Sequence, residues 1–176
     1  MNRIVLRRIL GDERGLSLVE MMVAGIAMML ISSMLLTWAV IAMNADRAHQ
    51  ERLETMDELR LAKADIAKQV RNADGILASS TSTKLLIWHD ADGNDFPQSA
   101  EVTVWEIVGT ELVTYPLADP DSAHIISGHL TSGSAFVVIY EAATAVGVNA
   151  AFEADIDGTG SSPPFSIVLE ATIRNA

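Results

Sequence analysis

Two hydrophobic patterns follow one another along the first 75 residues. From Met21 to Met43 the chain runs for 23 residues without a charged side chain. A helix of that length spans roughly 35 Å, enough for the ~30 Å hydrocarbon core of a bilayer. Beyond it, apolar residues recur at steps of three and four, as on one face of an amphipathic helix: Leu53, Met56, Leu59, Ala62, Ile66, Val70 and Ala73. The two patterns predict one long helix, transmembrane over 16–43 and amphipathic over 44–75.

The last hundred residues carry the pattern of short β-strands. The predicted strands are 84–89, 101–108, 111–115, 135–141 and 165–174, with a hairpin turn at Gly109-Thr110. The last strand alternates apolar and polar side chains, so one face of its sheet needs a cover, which the amphipathic helix can supply. We therefore expect an α+β fold with a small antiparallel β domain over 76–176 and exposed loops at 79–83 and 117–134.

Charge and composition argue against several classes of function. The net charge of −11 and the absence of a Lys/Arg cluster after residue 71 argue against nucleic-acid binding. The chain has no cysteine, which excludes a disulfide scaffold, a thiol nucleophile and a zinc–thiolate site. Four arginines precede the apolar run, against Asp12 and Glu13, so the positive-inside rule predicts a cytoplasmic N-terminus and an extracytoplasmic β domain.

Glu20 stands at the start of the apolar run. A carboxylate in a membrane helix costs about 2.5–3.5 kcal/mol at the centre and less near the interface. The residue alone leaves two interpretations open, an interfacial glutamate that reaches headgroup water and a functional intramembrane charge. The apolar run is too long for the core of a cleaved signal peptide, and a lipoprotein signal needs a cysteine. A plain signal anchor remains, but it gives no reason for Glu20.

The residues around Glu20 resemble a known processing site. Arg14-Gly15-Leu16-Ser17-Leu18-Val19-Glu20-Met21 is similar to the cleavage site of type IV prepilins and type II secretion pseudopilins. The resemblance implies a leader peptide over 1–15, cleavage by prepilin peptidase after Gly15, and N-methylation of Leu16, where the family usually has phenylalanine. It also implies a pilin-like fold. Residues 59–73 and the hairpin-rich domain look most like minor pilins of the W type and the J-type pseudopilin.

The same resemblance implies a function and its partners. Glu20 would pair with the N-terminal amine of a neighbouring subunit and set the register between helices in a filament. The partners would be other pilin or pseudopilin subunits, prepilin peptidase and the inner-membrane assembly platform. The protein would begin as a single-pass protein of the cytoplasmic membrane and end in an extracytoplasmic or cell-surface filament of a type IV pilus or a type II secretion system.

Candidate chemistry is sparse elsewhere. Asp90, Asp92, Asn94 and Glu101 have the spacing of calcium ligands in an EF-hand loop, but Asp95 holds the position that needs glycine, and the flanks are strands. A solvated turn is the alternative. The four histidines lack helical metal spacing, and no serine lies in a G-x-S-x-G motif, so we expect no enzyme and no cofactor apart from possible calcium. The rival function is a signal-anchored protein whose ectodomain binds a ligand or calcium and never joins a filament.

Overall fold

The computed structural model describes residues 17–155 and 164–174. One α-helix, α1, covers Leu18–Asn72. Eight strands follow: β1 (Gly75–Ile76), β2 (Lys84–Trp88), β3 (Val102–Val108), β4 (Glu111–Pro116), β5 (His124–Ser127), β6 (Ala135–Glu141), β7 (Thr144–Ala154) and β8 (Phe165–Thr172). Short 3-10 turns lie at Ser99–Glu101 and Pro120–Ser122. The chain is thus α+β, with a long apolar N-terminal helix and an antiparallel β domain.

The chain divides into two units, 1–46 and 47–176, and α1 contributes to both. In the first unit every described residue is exposed, including large apolar side chains such as Met29 and Trp38. Within the described residues, α1 is the one helix long and apolar enough to cross a membrane, judged by length and composition. Ser33 and Thr37 donate their hydroxyl hydrogens to carbonyls one turn back (2.8 and 3.0 Å), which satisfies both groups without water.

The second unit contains two antiparallel sheets. One has the order β1-β2-β3-β4-β5 and the other β6-β7-β8. Side chains from both sheets and from α1 meet in one hydrophobic core, whose largest fully buried members are Trp105, Phe136 and Phe152. The two phenylalanine rings pack edge to face with centroids 5.7 Å apart. Trp105 also donates its indole N–H to Oε1 of Gln69 on α1 (3.0 Å), so a hydrogen bond joins the helix to its sheet.

The predicted helical stripe is confirmed in its second half. Leu59, Ala62, Ile66 and Val70 are buried on the sheets. Leu53 is half exposed, contrary to the prediction, and the first buried helical residue is Thr55. Helical periodicity describes a face, but it does not say where along the helix the covering sheets begin. Burial also confirms the alternation of the last strand, since Leu169, Ala171 and Ile173 lie in the core.

The predicted strands are present with ends that differ by up to two residues, but three strands were missed. The interpretation of 117–134 as an exposed loop is wrong at β5, which pairs with β4, and at Leu130, which is buried. The longest strand, β7, was missed because the turn that precedes it contains none of the residues that usually mark a turn. Ala142 and Ala143 connect β6 to β7 at φ 47° and 76°, where Asn and Gly are the usual occupants.

Candidate functional site

The predicted processing site is described only in part. Gly15 and Leu16 lie outside the described residues, so the cleavage site remains a prediction. Ser17 and Glu20 are described, at the first turn of α1. In the sequence, Glu20 is the one charged residue between Gly15 and Asn44. The geometry at this turn therefore bears directly on why the chain carries a carboxylate there.

Two hydrogen bonds cap the first turn of α1. The backbone N–H of Ser17 donates to Oε2 of Glu20 (2.9 Å), and the backbone N–H of Val19 donates to Oγ of Ser17 (3.2 Å). This is a variant of the capping box, because Ser17 accepts the N–H of Val19 rather than that of Glu20. In both forms, side chains satisfy backbone donors that the first turn of a helix leaves free. A negative charge at this position also interacts favourably with the helix dipole.

The capping box gives Glu20 a structural role that we did not predict. Its sequence signal was present, since Ser17-Leu18-Val19-Glu20 fits the pattern Ser/Thr-x-x-Glu/Gln before an apolar run. The carboxylate uses Oε2 towards Ser17, and a carboxylate has about four acceptor sites. The carboxylate can therefore cap the helix and still accept a hydrogen bond from a second donor, such as a charged amine. Capping and pairing with an amine are compatible roles for Glu20.

The calcium candidates lie in the loop between β2 and β3. Asp90 accepts three backbone hydrogen bonds: the N–H groups of Gly93 and Asn94 donate to Oδ1 (2.8 and 3.1 Å), and that of Asp95 donates to Oδ2 (3.0 Å). These bonds, that from Asp95 first, hold the pKa of Asp90 below its usual range because they favour the charged carboxylate. Gly93, at φ 73°, supplies the left-handed backbone that the turn needs.

Glu101 accepts hydrogen bonds on the other side of this loop. Its Oε1 accepts the backbone N–H groups of Ala91 and Asp92 (3.0 and 3.2 Å), and its Oε2 accepts the indole N–H of Trp88 (3.3 Å). One oxygen each from Asp90, Asp92 and Glu101 lies within 4.8 Å of the others. The fold thus brings together three of the four predicted candidates. Oxygen ligands of this kind suit a hard divalent cation such as Ca²⁺.

Asn94, the fourth predicted candidate, lies beside Asp92. Its Oδ1 accepts the backbone N–H of Phe96 (2.7 Å), and its Nδ2 donates to Oδ2 of Asp92 (2.7 Å). Gln98 donates to the same oxygen of Asp92 (2.8 Å). The side chains of this loop therefore satisfy its backbone by hydrogen bonds, and the calcium site suggested by the sequence stays a prediction.

A polar cluster on β2, β3 and β4 was not anticipated. The ammonium of Lys84 donates to the hydroxyl of Tyr115 (2.9 Å) and lies 3.4 Å from Oε2 of Glu106, and the Tyr115 hydroxyl donates to that same oxygen (2.5 Å). The hydrogen bond with Tyr115, followed by the charge of Glu106, raises the pKa of Lys84 above its usual value. The three residues come from three separate strands, so only the strand register brings them together.

The chain matches no protein-family model, no curated protein and no solved structure. The described residues thus offer an exposed apolar helix with a capping carboxylate at its start, and a β domain with a hydrogen-bonded acidic loop.

Proposed function

We propose that the protein is a minor pilin or pseudopilin, a structural subunit of a type IV pilus or type II secretion filament. Prepilin peptidase cleaves it after Gly15, and Leu16 becomes the methylated N-terminus. The observation that carries the proposal is Glu20, a carboxylate placed five residues after Gly15 at the start of an uncharged helix. In support of it, that carboxylate caps the first turn of α1, and the new N-terminus would lie four residues away in sequence.

The exposed apolar side chains of the first unit need an apolar environment. Apolar side chains such as Leu30, Leu35 and Ile41 are more than half exposed, and at about 25 cal/mol per Å² their transfer out of water is strongly favourable. Lipid satisfies this requirement in the membrane, and the helices of neighbouring subunits satisfy it in a filament. The proposal therefore accounts for a helix that is apolar all round before residue 44 and one-sided after residue 55.

In this proposal the charge distribution determines the orientation of the chain across the membrane. The arginine-rich residues 1–15 stay in the cytoplasm, and the β domain lies outside. After cleavage, the amine of Leu16 and the carboxylate of Glu20 on a neighbouring subunit are each expensive in lipid, and pairing lowers that cost. The precursor has no free amine at that position, so cleavage is the step that permits assembly. The other subunits and the assembly platform of the inner membrane are the partners.

The test is the N-terminal residue and mass of the protein purified from its own cells. The proposal predicts a chain that begins at Leu16, with a methyl group on the amine, and an unprocessed chain in cells that lack prepilin peptidase. A chain that begins at Met1 despite an active peptidase would contradict it. So would cleavage near Ala42, which would point to an ordinary signal peptide.

The second candidate function is a signal-anchored ectodomain that binds calcium. The observation in its favour is the convergence of Asp90, Asp92 and Glu101. On this alternative, millimolar CaCl₂ raises the unfolding temperature of the intact protein because the ion binds the native state alone. The Asp92→Asn variant should lose that response, and a protein whose unfolding temperature ignores calcium does not bind it at this loop. Filament assembly does not require the response, so the two functions are separately testable.

A further inference from the structure

The strand β8 forms one outer edge of the three-stranded sheet. It pairs with β7 along its whole length, from Phe165 to Thr172, without a shift in register. Among the described residues, no strand lies on its other side. An edge strand presents a row of backbone N–H and C=O groups that its own sheet does not use, and such a row is a template for another strand.

One hydrogen bond shows which backbone groups of β8 point outwards. The N–H of Ile173 donates to the carbonyl oxygen of Val146 on β7 (2.8 Å). Because the direction of backbone groups alternates along a strand, Ile173 and every second residue before it in β8 bond to β7. The residues between them direct their N–H and C=O groups away from β7. These residues are Ser166, Val168, Glu170 and Thr172, and all of them are exposed.

The other outer strands have features that discourage pairing with a further strand. The outer strand β5 has four residues and a shifted register against β4, and β1 has two residues. On β6, the N–H of Phe136 already donates to the carbonyl oxygen of Ser82 (2.8 Å). In contrast, β8 has no proline, no lysine and no bulge, and Glu170 is its one charged residue. Among the described strands, β8 is therefore the least protected edge.

A short apolar row on the outer face of the sheet ends at this edge. Val168 is 61% exposed, and its neighbours across the sheet are Ala151 on β7 and Ala135 on β6. Ser166 and Glu170 flank Val168 on the same face of β8, because side chains two residues apart share a face. A strand added at the edge can therefore extend the apolar row if it places an apolar side chain opposite Val168.

We propose that β8 of one copy of the chain pairs antiparallel with β8 of a second copy, about a two-fold axis at Val168. In this register Val168 faces its own counterpart, and Ser166 faces Glu170 of the other copy. The two valines form an apolar cross-strand pair, and the serine hydroxyl can donate to the carboxylate. A register centred on Glu170 is unfavourable, since it places two carboxylates directly opposite each other.

The backbone of β8 is what selects a second copy as the occupant. In the register centred on Val168, every outward-facing residue meets an outward-facing residue of the other copy. Each of the central pairs can then exchange two backbone hydrogen bonds, as in any antiparallel ladder. The row of Ala135, Ala151 and Val168 continues into the same row of the second copy. The edge is thus complementary to itself in hydrogen bonding, in apolar contact and in charge.

The proposed contact goes beyond the filament function. It is isologous, so it closes on itself and produces a dimer rather than a growing assembly. It uses no residue of the first unit. On both candidate functions, α1 anchors the chain in a membrane, and the raised local concentration favours a contact as small as one pair of strands. The inference therefore does not depend on which of the two functions is correct.

Cysteine crosslinking tests the contact, because the chain has no native cysteine. Membranes that contain full-length Val168→Cys are treated with a mild oxidant and analysed by non-reducing electrophoresis. A cysteine on the axis faces its own counterpart at a Cα separation of about 5.5 Å, which suits a disulfide. Thr172→Cys is the matched control. It is exposed on the same face of the same strand, but the proposed register places it roughly 27 Å from its counterpart.

The proposal predicts several-fold more disulfide-linked dimer for Val168→Cys than for Thr172→Cys. When differently tagged Ser166→Cys and Glu170→Cys copies are co-expressed, dimers that carry both tags should exceed those that carry one tag. Equal yields for Val168→Cys and Thr172→Cys would overturn the proposal, since they indicate random collision. A Val168→Cys adduct at the mass of another envelope protein, in place of the dimer, would overturn the choice of a second copy.

Proline at an outward-facing position tests the role of the backbone. Adding Glu170→Pro to the Val168→Cys chain removes an outward N–H and should reduce the dimer to the level of Thr172→Cys. An edge strand tolerates proline where the missing N–H faces outwards, and tryptophan fluorescence during urea unfolding checks that the β domain still folds. A folded Glu170→Pro chain that dimerises fully would contradict the strand pairing. If that variant does not fold, the comparison of positions 168 and 172 still decides, because neither variant contains the proline.

Discussion

The two parts of α1 share a backbone conformation and differ in what surrounds them. Ile26 in the first unit is 59% exposed, whereas Ile66 in the second is 0% exposed and belongs to the core that α1 forms with both sheets. Both belong to one helix that runs without interruption from Leu18 to Asn72. Most helical stability in proteins comes from packing of an apolar face. The second part finds that packing inside its own chain, and on the proposed function the first finds it in lipid or in other subunits.

On the proposed function, this difference separates the residues that serve folding from those that serve assembly. In the second part, side-chain size matters because the neighbours are fixed in the same chain. In the first part, the chain itself places few demands on side-chain size, and on the proposed function the single charge at Glu20 carries the specificity. Mutations in the two parts should therefore affect different measurements, folding of the β domain in one case and assembly in the other.

The largest effect is expected at Ile66. Ile66→Ala removes a fully buried side chain, and we predict a loss of about 2–5 kcal/mol in the free energy of unfolding of the β domain. The matched Ile26→Ala should change it by less than about 0.5 kcal/mol because nothing in the chain covers that residue. The measurement is urea unfolding of the detergent-solubilised protein, followed by tryptophan fluorescence. Equal losses at both positions would contradict the division of α1 into two kinds of surface.

Gly147 should give the next largest effect. A Cβ at this position would lie 2.5 Å from the carbonyl oxygen of Ala171 on the adjacent strand, so Gly147→Ala forces β7 and β8 apart. We predict a loss of roughly 1–3 kcal/mol, measured by the same urea unfolding. Gly25→Ala is the control, since a Cβ there meets no atom within 4 Å. Unaltered stability of the Gly147→Ala variant would show that the two strands can move apart freely.

Lys84 should give the smallest effect, and it depends on pH. Its pKa is raised in the folded state above 10.5, chiefly by the hydrogen bond with Tyr115. The stabilisation is therefore complete below pH 10.5 and is lost as the pH rises through the folded pKa. Because the side chain is 32% exposed, we expect well under about 1 kcal/mol.

The measurement for Lys84 is the difference in unfolding free energy between the wild type and Lys84→Met from pH 9 to pH 12, a range chosen around the lysine pKa of about 10.4. That difference should shrink as the pH rises. The exposed Lys68→Met is the control and should show a smaller change over the same range. A difference between wild type and Lys84→Met that is constant with pH would mean that the cluster does not stabilise the charged lysine.

Much of the fold could be predicted because its signals are local. The uncharged run from Met21, the helical stripe through Ile66 and the alternation around Leu169 each depend on residues close in sequence. The hairpin at Gly109 could be predicted because glycine marks a turn that needs positive φ, here 63°. The missed strand β7 follows two alanines with positive φ. The pairing of β6 with β7 imposes this conformation, and the local preference of alanine does not predict it.

The candidate site, like the fold, could be predicted only where its signals are local in sequence. The spacing of Gly15 and Glu20 directed attention to the first turn of α1, but the capping role of Ser17 was overlooked in favour of the membrane cost of a charge. Asp90, Asp92 and Glu101 converge because their carboxylates accept backbone N–H groups of the same loop. The Lys84, Glu106 and Tyr115 cluster could not be found beforehand, because it depends on the register of three strands.

The measurement that tests the central claim most directly separates the two roles of Glu20. Glutamine at this position can still accept the Ser17 N–H, as capping boxes allow, but it carries no charge for a neighbouring amine. The fraction of full-length protein in isolated filaments is compared for wild type, Ser17→Ala, Glu20→Gln and Glu20→Ala. The account predicts that both Glu20 variants fall to background while Ser17→Ala still assembles. Normal incorporation of Glu20→Gln would show that Glu20 only caps the helix and would contradict the account.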